Sequence, residues 1–255
     1  MAMLDGRTAL VVGASSGLGW GIALRFAEEG ANVVAAARRT DRLHGLAKEA
    51  EQRGFQGRIV PAECDVDVEA DLDRVVTTTV SEFGTVDILA AIAQGGLGKQ
   101  TYLNETTAEL ALESYRTGPL YTMLLMQKVF PHMKERGYGR IITCASGSAV
   151  SGTAGFTAYA MAKAAVMTLT RKAAQEWAQY GILTNCLLPV TKSDHFGEDE
   201  QSTDALRRTE AAIPVRYLGD PYEDASPVVA FLAGEGAHYL NGQMIGLDGG
   251  LQILA

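Results

Sequence analysis

Residues 8–39 read Thr-Ala-Leu-Val-Val-Gly-Ala-Ser-Ser-Gly-Leu-Gly-Trp-Gly-Ile-Ala-Leu-Arg-Phe-Ala-Glu-Glu-Gly-Ala-Asn-Val-Val-Ala-Ala-Ala-Arg-Arg, and their alternation decides the fold. Thr8–Val12 is an apolar run of strand length, 16–29 has helical period, and Asn32–Ala37 is a second apolar run. On the helix, Leu18, Ile22 and Phe26 share one face, with Gly19, Ala23 and Ala27 beside them, whereas Arg25, Glu28 and Glu29 point elsewhere. Small residues next to the apolar stripe let such a helix press closely onto a sheet. Gly30 supplies a left-handed stop. This is a strand–helix–strand unit, and parallel strands require that kind of crossover.

The pattern continues outward. Helical period is expected at 41–53, 68–83, 107–136 and 157–180, and strands at 58–64, 86–92, 140–144 and 183–187. Strands that alternate with helices predict a doubly wound α/β domain of Rossmann type, with helices on both faces of a parallel sheet. No linker, low-complexity tract or repeat divides the chain, so residues 1–255 are expected to form one domain. The stretch 191–212 breaks the pattern, being polar and acidic with Gly197 near its centre. It reads as a mobile insertion at the carboxyl end of a strand, where ligands of α/β sheets sit, and is expected to be a substrate lid.

Composition limits the partners. The chain has 255 residues, 47% of them hydrophobic and 20% charged, as expected of a folded soluble protein. A net charge of −8 argues against nucleic acid, which needs clustered Lys and Arg. The absence of an apolar leader or of a long apolar stretch predicts a cytoplasmic protein without membrane association. Cys64, Cys144 and Cys186 lie in or beside strand-like runs without CxxC spacing, and His44, His132, His195 and His238 form no ligand pair, so reduced thiols and no metal are expected. A small molecule is the expected partner.

Gly13-Ala14-Ser15-Ser16-Gly17-Leu18-Gly19 stands where the first strand turns into the first helix. There, backbone N–H groups and the positive end of a helix dipole can meet a pyrophosphate, and glycines let the phosphates approach. The same letters satisfy GxSxG, with Ser15 as the nucleophile of a serine hydrolase. That alternative lacks a preceding oxyanion loop and has only His238 in a late position. Further along, Tyr159-Ala160-Met161-Ala162-Lys163 places a phenol and an ammonium one helical turn apart. A free phenol, with a pKa of about 10, exchanges protons poorly at neutral pH, and a neighbouring cation favours its ionised form. Lys163 is therefore expected to tune Tyr159. Ser146 stands at the end of the strand 140–144, thirteen residues before the tyrosine.

With these features assembled, the chain resembles the short-chain dehydrogenase/reductase family over nearly its whole length, and within it 3-oxoacyl reductase-like members. The matching pieces are Gly13-xxx-Gly17-x-Gly19, Cys64-Asp65-Val66, Ser146, Tyr159-xxx-Lys163, Asn185, Arg216-Tyr217-Leu218-Gly219-Asp220-Pro221 and Leu247-Asp248-Gly249-Gly250. The resemblance implies a seven-stranded sheet and hydride transfer between a nicotinamide cofactor and a carbonyl or secondary alcohol. Ser146 would bind the substrate oxygen, Tyr159 would act as general acid or base, and Lys163 would also hold the nicotinamide ribose. Cofactor contacts are expected from Gly13, Ser15, Ser16, Gly17, Leu18, Gly19, Arg38, Arg39, Asp65, Val66, Ala93, Tyr159, Lys163, Pro189, Val190 and Thr191. The run Ala35-Ala36-Ala37-Arg38-Arg39 lacks the acid that binds ribose hydroxyls and carries arginines suited to a 2′-phosphate, which favours NADP(H) over NAD(H). A homotetramer is expected from the resemblance.

Three departures stand out. The family usually has Asn-Asn-Ala-Gly after the fourth strand, but here the strand runs into Ala91-Ile92-Ala93-Gln94-Gly95-Gly96, in which only the alanine survives. Gly118 falls where a helix Asn often completes the catalytic set, and its missing bulk is expected to leave room for a water. The usual Pro-Gly after the sixth strand is Pro189-Val190, and the familiar threonine falls at Asp194, with Thr191 and Ser193 close by. His195 and Phe196 are candidate pocket walls. An alternative reading is a cofactor-binding relative whose redox activity has decayed.

Overall fold

The structure, a computed structural model, describes residues 2–95, 101–192 and 200–252, with only the backbone for 200–205. The strands are β1 (Thr8–Val12), β2 (Asn32–Ala37), β3 (Ile59–Glu63), β4 (Ile88–Ala91), β5 (Gly139–Cys144), β6 (Ile182–Pro189) and β7 (Met244–Leu247). They form one seven-stranded sheet in the order β3-β2-β1-β4-β5-β6-β7, with every neighbouring pair parallel. The order reverses at β1, so the crevice between the ends of β1 and β4 is the switch point where such sheets bind ligands.

Side-chain alternation assigns each strand residue to one of two cores. Ala9 and Val11 of β1, Val33 and Ala35 of β2, and Ile88 and Ala90 of β4 face one side. Leu10 and Val12, Val34 and Ala36, and Leu89 and Ala91 face the other. On the first side pack α1 (Gly17–Glu28), α2 (Thr40–Gln52) and α9 (Ser226–Ala233). On the second pack α3 (Glu69–Phe83), α5 (Tyr121–Arg136) and α7 (Thr157–Trp177). Both faces of the sheet are therefore covered, as near-continuous apolar strands require.

Two differences from the sequence reading matter for the site. The helical stretch 107–136 is not one regular helix: α4 (Ala108–Tyr115) passes through a π turn, Arg116–Leu120, into α5. Pro119 inside that turn has no N–H, and its ring would press on the carbonyl four residues back, so the ladder widens and Tyr121 N–H reaches back to Arg116 O. The segment 191–212, read as an irregular insertion, contains α8 (Glu200–Ala212). Its sequence offers few apolar residues to mark a buried stripe, so apolar periodicity missed a helix rich in Glu, Gln, Ala and Arg. Between β5 and α7 runs a short helix, α6 (Ser148–Ser151). No helix of the described residues is long and apolar enough to cross a membrane.

Candidate active site

The carboxyl ends of the strands present the expected site residues in spatial order. Arg38 and Arg39 follow β2, the glycine-rich turn follows β1, Ala93 follows β4, Ser146 follows β5, and Pro189, Val190 and Thr191 end or follow β6. A cleft of about 450 Å³ gathers Gly13, Ser15, Ser16, Gly17, Leu18, Gly19, Arg38, Arg39, Asp65, Val66 and Ala93. Val190 and Thr191 line a separate cavity of about 400 Å³ with Gly246–Gly250. Ser146, Tyr159 and Lys163 stand outside both linings, over the end of β5.

The glycine-rich turn is dictated sterically. Gly13 has φ +96°, and a Cβ there would stand 2.7 Å from Ala93 N, so β1 and β4 approach to backbone contact. A Cβ on Gly19 would meet Gly13 O at 2.2 Å. Ser16, at the N-cap of α1, is extended and makes no side-chain capping bond, which leaves first-turn N–H groups to the cleft. The backbone there fits the pyrophosphate of a dinucleotide. Arg39 lies across the same turn: its Nε and Nη2 donate to Ser15 Oγ at 3.2 and 3.0 Å, and Nη2 to Ser16 Oγ at 2.6 Å. Arg38 is exposed beside it.

Asp65 lines the cleft, yet its Oδ1 also accepts from Asp67 N at 3.1 Å, and its own N–H donates to Asp71 Oδ2 at 2.9 Å. The loop carrying Asp65 and Val66 is thus held from both sides. Asp71 is held below its ordinary carboxyl pKa by that backbone hydrogen bond and by Arg74.

On α7, Lys163 is only 2% exposed and its Nζ donates to Cys144 O at 2.7 Å, which ties the helix to the end of β5. The same Nζ lies 5.5 Å from the centroid of the Tyr159 ring, within cation–π range. Tyr159 is half-buried, with Phe156 against its ring edge. Ser146 Oγ accepts from Ser148 N at 3.2 Å and from Ser148 Oγ at 3.0 Å, so a second serine orients it. Asn185 is structural: its Nδ2 donates to Leu240 O and its Oδ1 accepts from Gln243 N, joining β6 to the segment before β7. Cys64, Cys144 and Cys186 are buried and unpaired. Ser193, Asp194, His195, Phe196 and Gly197, and with them part of the expected lid, lie outside the described residues.

One expectation is corrected. Gly118 leaves no room for a water, because a Cβ there would stand 2.6 Å from Gln94 Oε1, so the space is filled by the Gln94 carboxamide. With Ala93 as the surviving alanine of the motif after β4, Gln94 occupies its glycine position. The two departures from the resemblance, Gln94 after β4 and Gly118 in the π turn, therefore meet at one contact. Thr117, which lines the cleft, was missed by sequence reasoning, and Gln94 was expected only as a departure at the start of the pocket-shaping loop 94–102. The only signal was the joint oddity at 94 and 118, on different elements.

Fold and site together define a dinucleotide-binding α/β oxidoreductase. Residues 13–252 match the family described as enoyl-(acyl carrier protein) reductase. The chain is 32% identical over 254 residues to a 3-oxoacyl-[acyl-carrier-protein] reductase of Thermotoga maritima, covering 98% of this chain and 99% of that one. It is 30% identical over 258 residues to a 12alpha-hydroxysteroid dehydrogenase of a Clostridium species, covering 98% of each. Among solved structures, a 7alpha-hydroxysteroid dehydrogenase complexed with NADH and 7-oxo glycochenodeoxycholic acid superposes with a TM-score of 0.88 at 28% identity, covering 98% of this chain and 95% of that one. Levodione reductase superposes with a TM-score of 0.90 at 28% identity, covering 96% and 97%. The chain belongs to the short-chain dehydrogenase/reductase family. Its function is NAD(P)-dependent hydride transfer, and the serine hydrolase alternative built on Ser15 finds no support.

Proposed function

We propose that the protein is an NADP(H)-dependent carbonyl reductase or alcohol dehydrogenase of small-molecule substrates, using Ser146, Tyr159 and Lys163. The observation that carries the cofactor preference is the end of β2: no acid follows Ala37, and Arg39 reaches Ser15 and Ser16 across the glycine-rich turn with Arg38 exposed beside it. Two guanidinium groups and two hydroxyls converge on one edge of the cleft, the donor set that a 2′-phosphate takes.

When bound, the nicotinamide supplies or takes up the hydride at the substrate carbon. The rest is done by the chain. Ser146, oriented by Ser148, donates a hydrogen bond to the substrate oxygen. Tyr159 Oη gives that oxygen a proton in reduction and takes it back in alcohol oxidation. Lys163, anchored on Cys144 O, sets the position of its helix turn and holds positive charge beside the phenol ring. Segment 191–212 closes over the substrate, and Asp65, Val66, Ala93, Pro189, Val190 and Thr191 complete the cofactor contacts.

The protein works in the cytoplasm, where its buried thiols stay reduced, and assembles as a homotetramer. The exposed apolar Leu112 and Tyr115 on α4 and Met161 on α7 favour helix pairing between subunits. Light scattering that gives a monomer would remove the tetramer.

The deciding experiment measures NADPH oxidation and NADP reduction against a panel of ketones and secondary alcohols, for the parent and for Tyr159→Phe. The parent is expected to turn over and Tyr159→Phe to lose most of the rate while still binding cofactor. A parent that binds NADPH but reduces nothing would mark a decayed relative instead.

A further inference from the structure

Gln94 follows β4, and its carboxamide is turned inward rather than to solvent. Its Nε2 donates to Gly95 O at 3.1 Å, Ser114 O at 3.2 Å and Thr117 Oγ1 at 3.4 Å. Thr117 Oγ1 itself donates to Glu113 O at 2.8 Å, so all three partners act as acceptors and the amide cannot be flipped. In the π register the N–H of residue 119 would reach back to Ser114 O. Proline has none, and Gln94 Nε2 takes that place.

The other end of the amide is unusual. Gln94 Oε1 is buried with no hydrogen-bond partner among the described residues, pressed where a side chain at 118 would begin. A Cβ at 118 would push the Gln94 carboxamide out of its three hydrogen bonds, so it is glycine at 118 that lets glutamine sit inward at 94. A leucine would fill the same volume without stranding an acceptor, so space filling does not account for the oxygen. A second tie parallels the first. Tyr121, 1% exposed, donates its hydroxyl to Ala93 O at 2.8 Å, and burial pushes its phenol pKa up, which keeps it a donor. The loop after β4 is therefore bonded on both sides of the π turn. That turn packs directly on α7, the helix of Tyr159 and Lys163.

We propose that Gln94 and Gly118 form one positioning unit. The carboxamide from the β4 loop locks the π turn, and through it sets α7 and the Tyr159–Lys163 pair against the cofactor cleft. Gln94 acts through these groups and is not itself a catalytic residue. The proposal rests on the oxidoreductase reading given above, but one of its tests does not.

Four variants test it: Gly118→Ala, Gln94→Gly, the double Gln94→Gly/Gly118→Ala, and the relocating double Gln94→Gly/Gly118→Asn. Each single change is expected to lower kcat by about tenfold to a hundredfold, as small misplacements of reacting groups do, with KM for NADPH moved much less. Adding Gly118→Ala to Gln94→Gly is expected to cost no further turnover, because the clash at 2.6 Å is already gone. The relocating double is expected to recover most of kcat by supplying the carboxamide from the helix. The activity-independent arm is the urea midpoint: Gly118→Ala should lower it in the parent and hardly at all in the Gln94→Gly background. Equal midpoint losses in both backgrounds would overturn the pairing. Single variants whose kcat matches the parent, or a relocating double that folds normally but regains no turnover, would overturn the positioning role. A parent without turnover would sink the functional reading alone, since the midpoint coupling still reads the pair.

Discussion

Replacing Gly13 with alanine isolates what the close approach of β1 and β4 demands of the chain. Two separate terms oppose the methyl group. At φ +96° an L-residue is strained by roughly 1–3 kcal/mol. The new Cβ also falls 2.7 Å from Ala93 N and 2.9 Å from Ala93 Cα, well inside the 3.4 Å at which ordinary contact begins. Neither atom belongs to a flexible side chain. The end of β4 must move by several tenths of an ångström, and Ala93 N already spans 3.1 Å to Val12 O, so that bond weakens as the loop is pushed away. Overpacking of this kind costs typically about 1–3 kcal/mol, and a lost hydrogen bond roughly 1 kcal/mol. The expected loss is about 3–7 kcal/mol, or roughly 6–28 °C in Tm for a chain of this size. The internal control is Gly84, the left-handed cap of α3 at φ +84° with nothing within 4 Å of an added Cβ. Gly84→Ala carries strain without the clash and is expected to lose only about 1–2 kcal/mol. Urea and thermal unfolding of both variants, with NADPH titration by fluorescence, give the comparison. If Gly13→Ala unfolds no more easily than Gly84→Ala, the close approach of the two strand ends is not as described.

The end of β2 and the buried thiols carry three further outcomes. The double change Ala37→Asp/Arg38→Ala places a carboxylate at the end of β2 and removes an exposed guanidinium, so the ratio of kcat/KM for NADPH over NADH is expected to fall; an unchanged ratio would refute the 2′-phosphate assignment. Burial pushes the Cys64 thiol from 9.0 up to about 12 and Cys186 up to about 11, and raises Cys144 as well, so iodoacetamide at pH 8 should label the folded protein hardly at all. Because the folded pKa values are raised, this contribution to stability is complete below pH 9 and is lost as pH climbs toward 12, where the unfolded chain ionises first. Cys64→Ala should flatten that alkaline loss, and an identical pH–stability curve would refute it.

What was legible in the sequence was whatever a single local rule governs. The continuous apolar runs of β1, β2 and β4 announced strands because both faces of the sheet are buried, and Leu18, Ile22 and Phe26 announced α1 because a sheet-facing helix needs one apolar stripe. Tyr159, Lys163 and Ser146 were expected as a set because several motifs in order carry the family resemblance, where a phenol and an ammonium one turn apart would not have done so alone. The helix α8 was hidden because its residues carry propensity without a clear apolar stripe, and the π turn because a proline inside a helical pattern signals disturbance without saying which register absorbs it. Gln94 and Gly118 were hidden for a stronger reason. Taken one at a time, each is a departure: a bulky amide where a small residue is expected, and a bare backbone where an amide is expected. Their meaning lies in a 2.6 Å contact between different elements, which no local pattern encodes. Reading each departure alone pointed toward a weakened cofactor floor. Reading them as one contact gives a different expectation, because the carboxamide lies in the cleft lining and its bonds to Gly95 O, Ser114 O and Thr117 Oγ1 tie the loop after β4 to the π turn that packs on the helix of Tyr159 and Lys163.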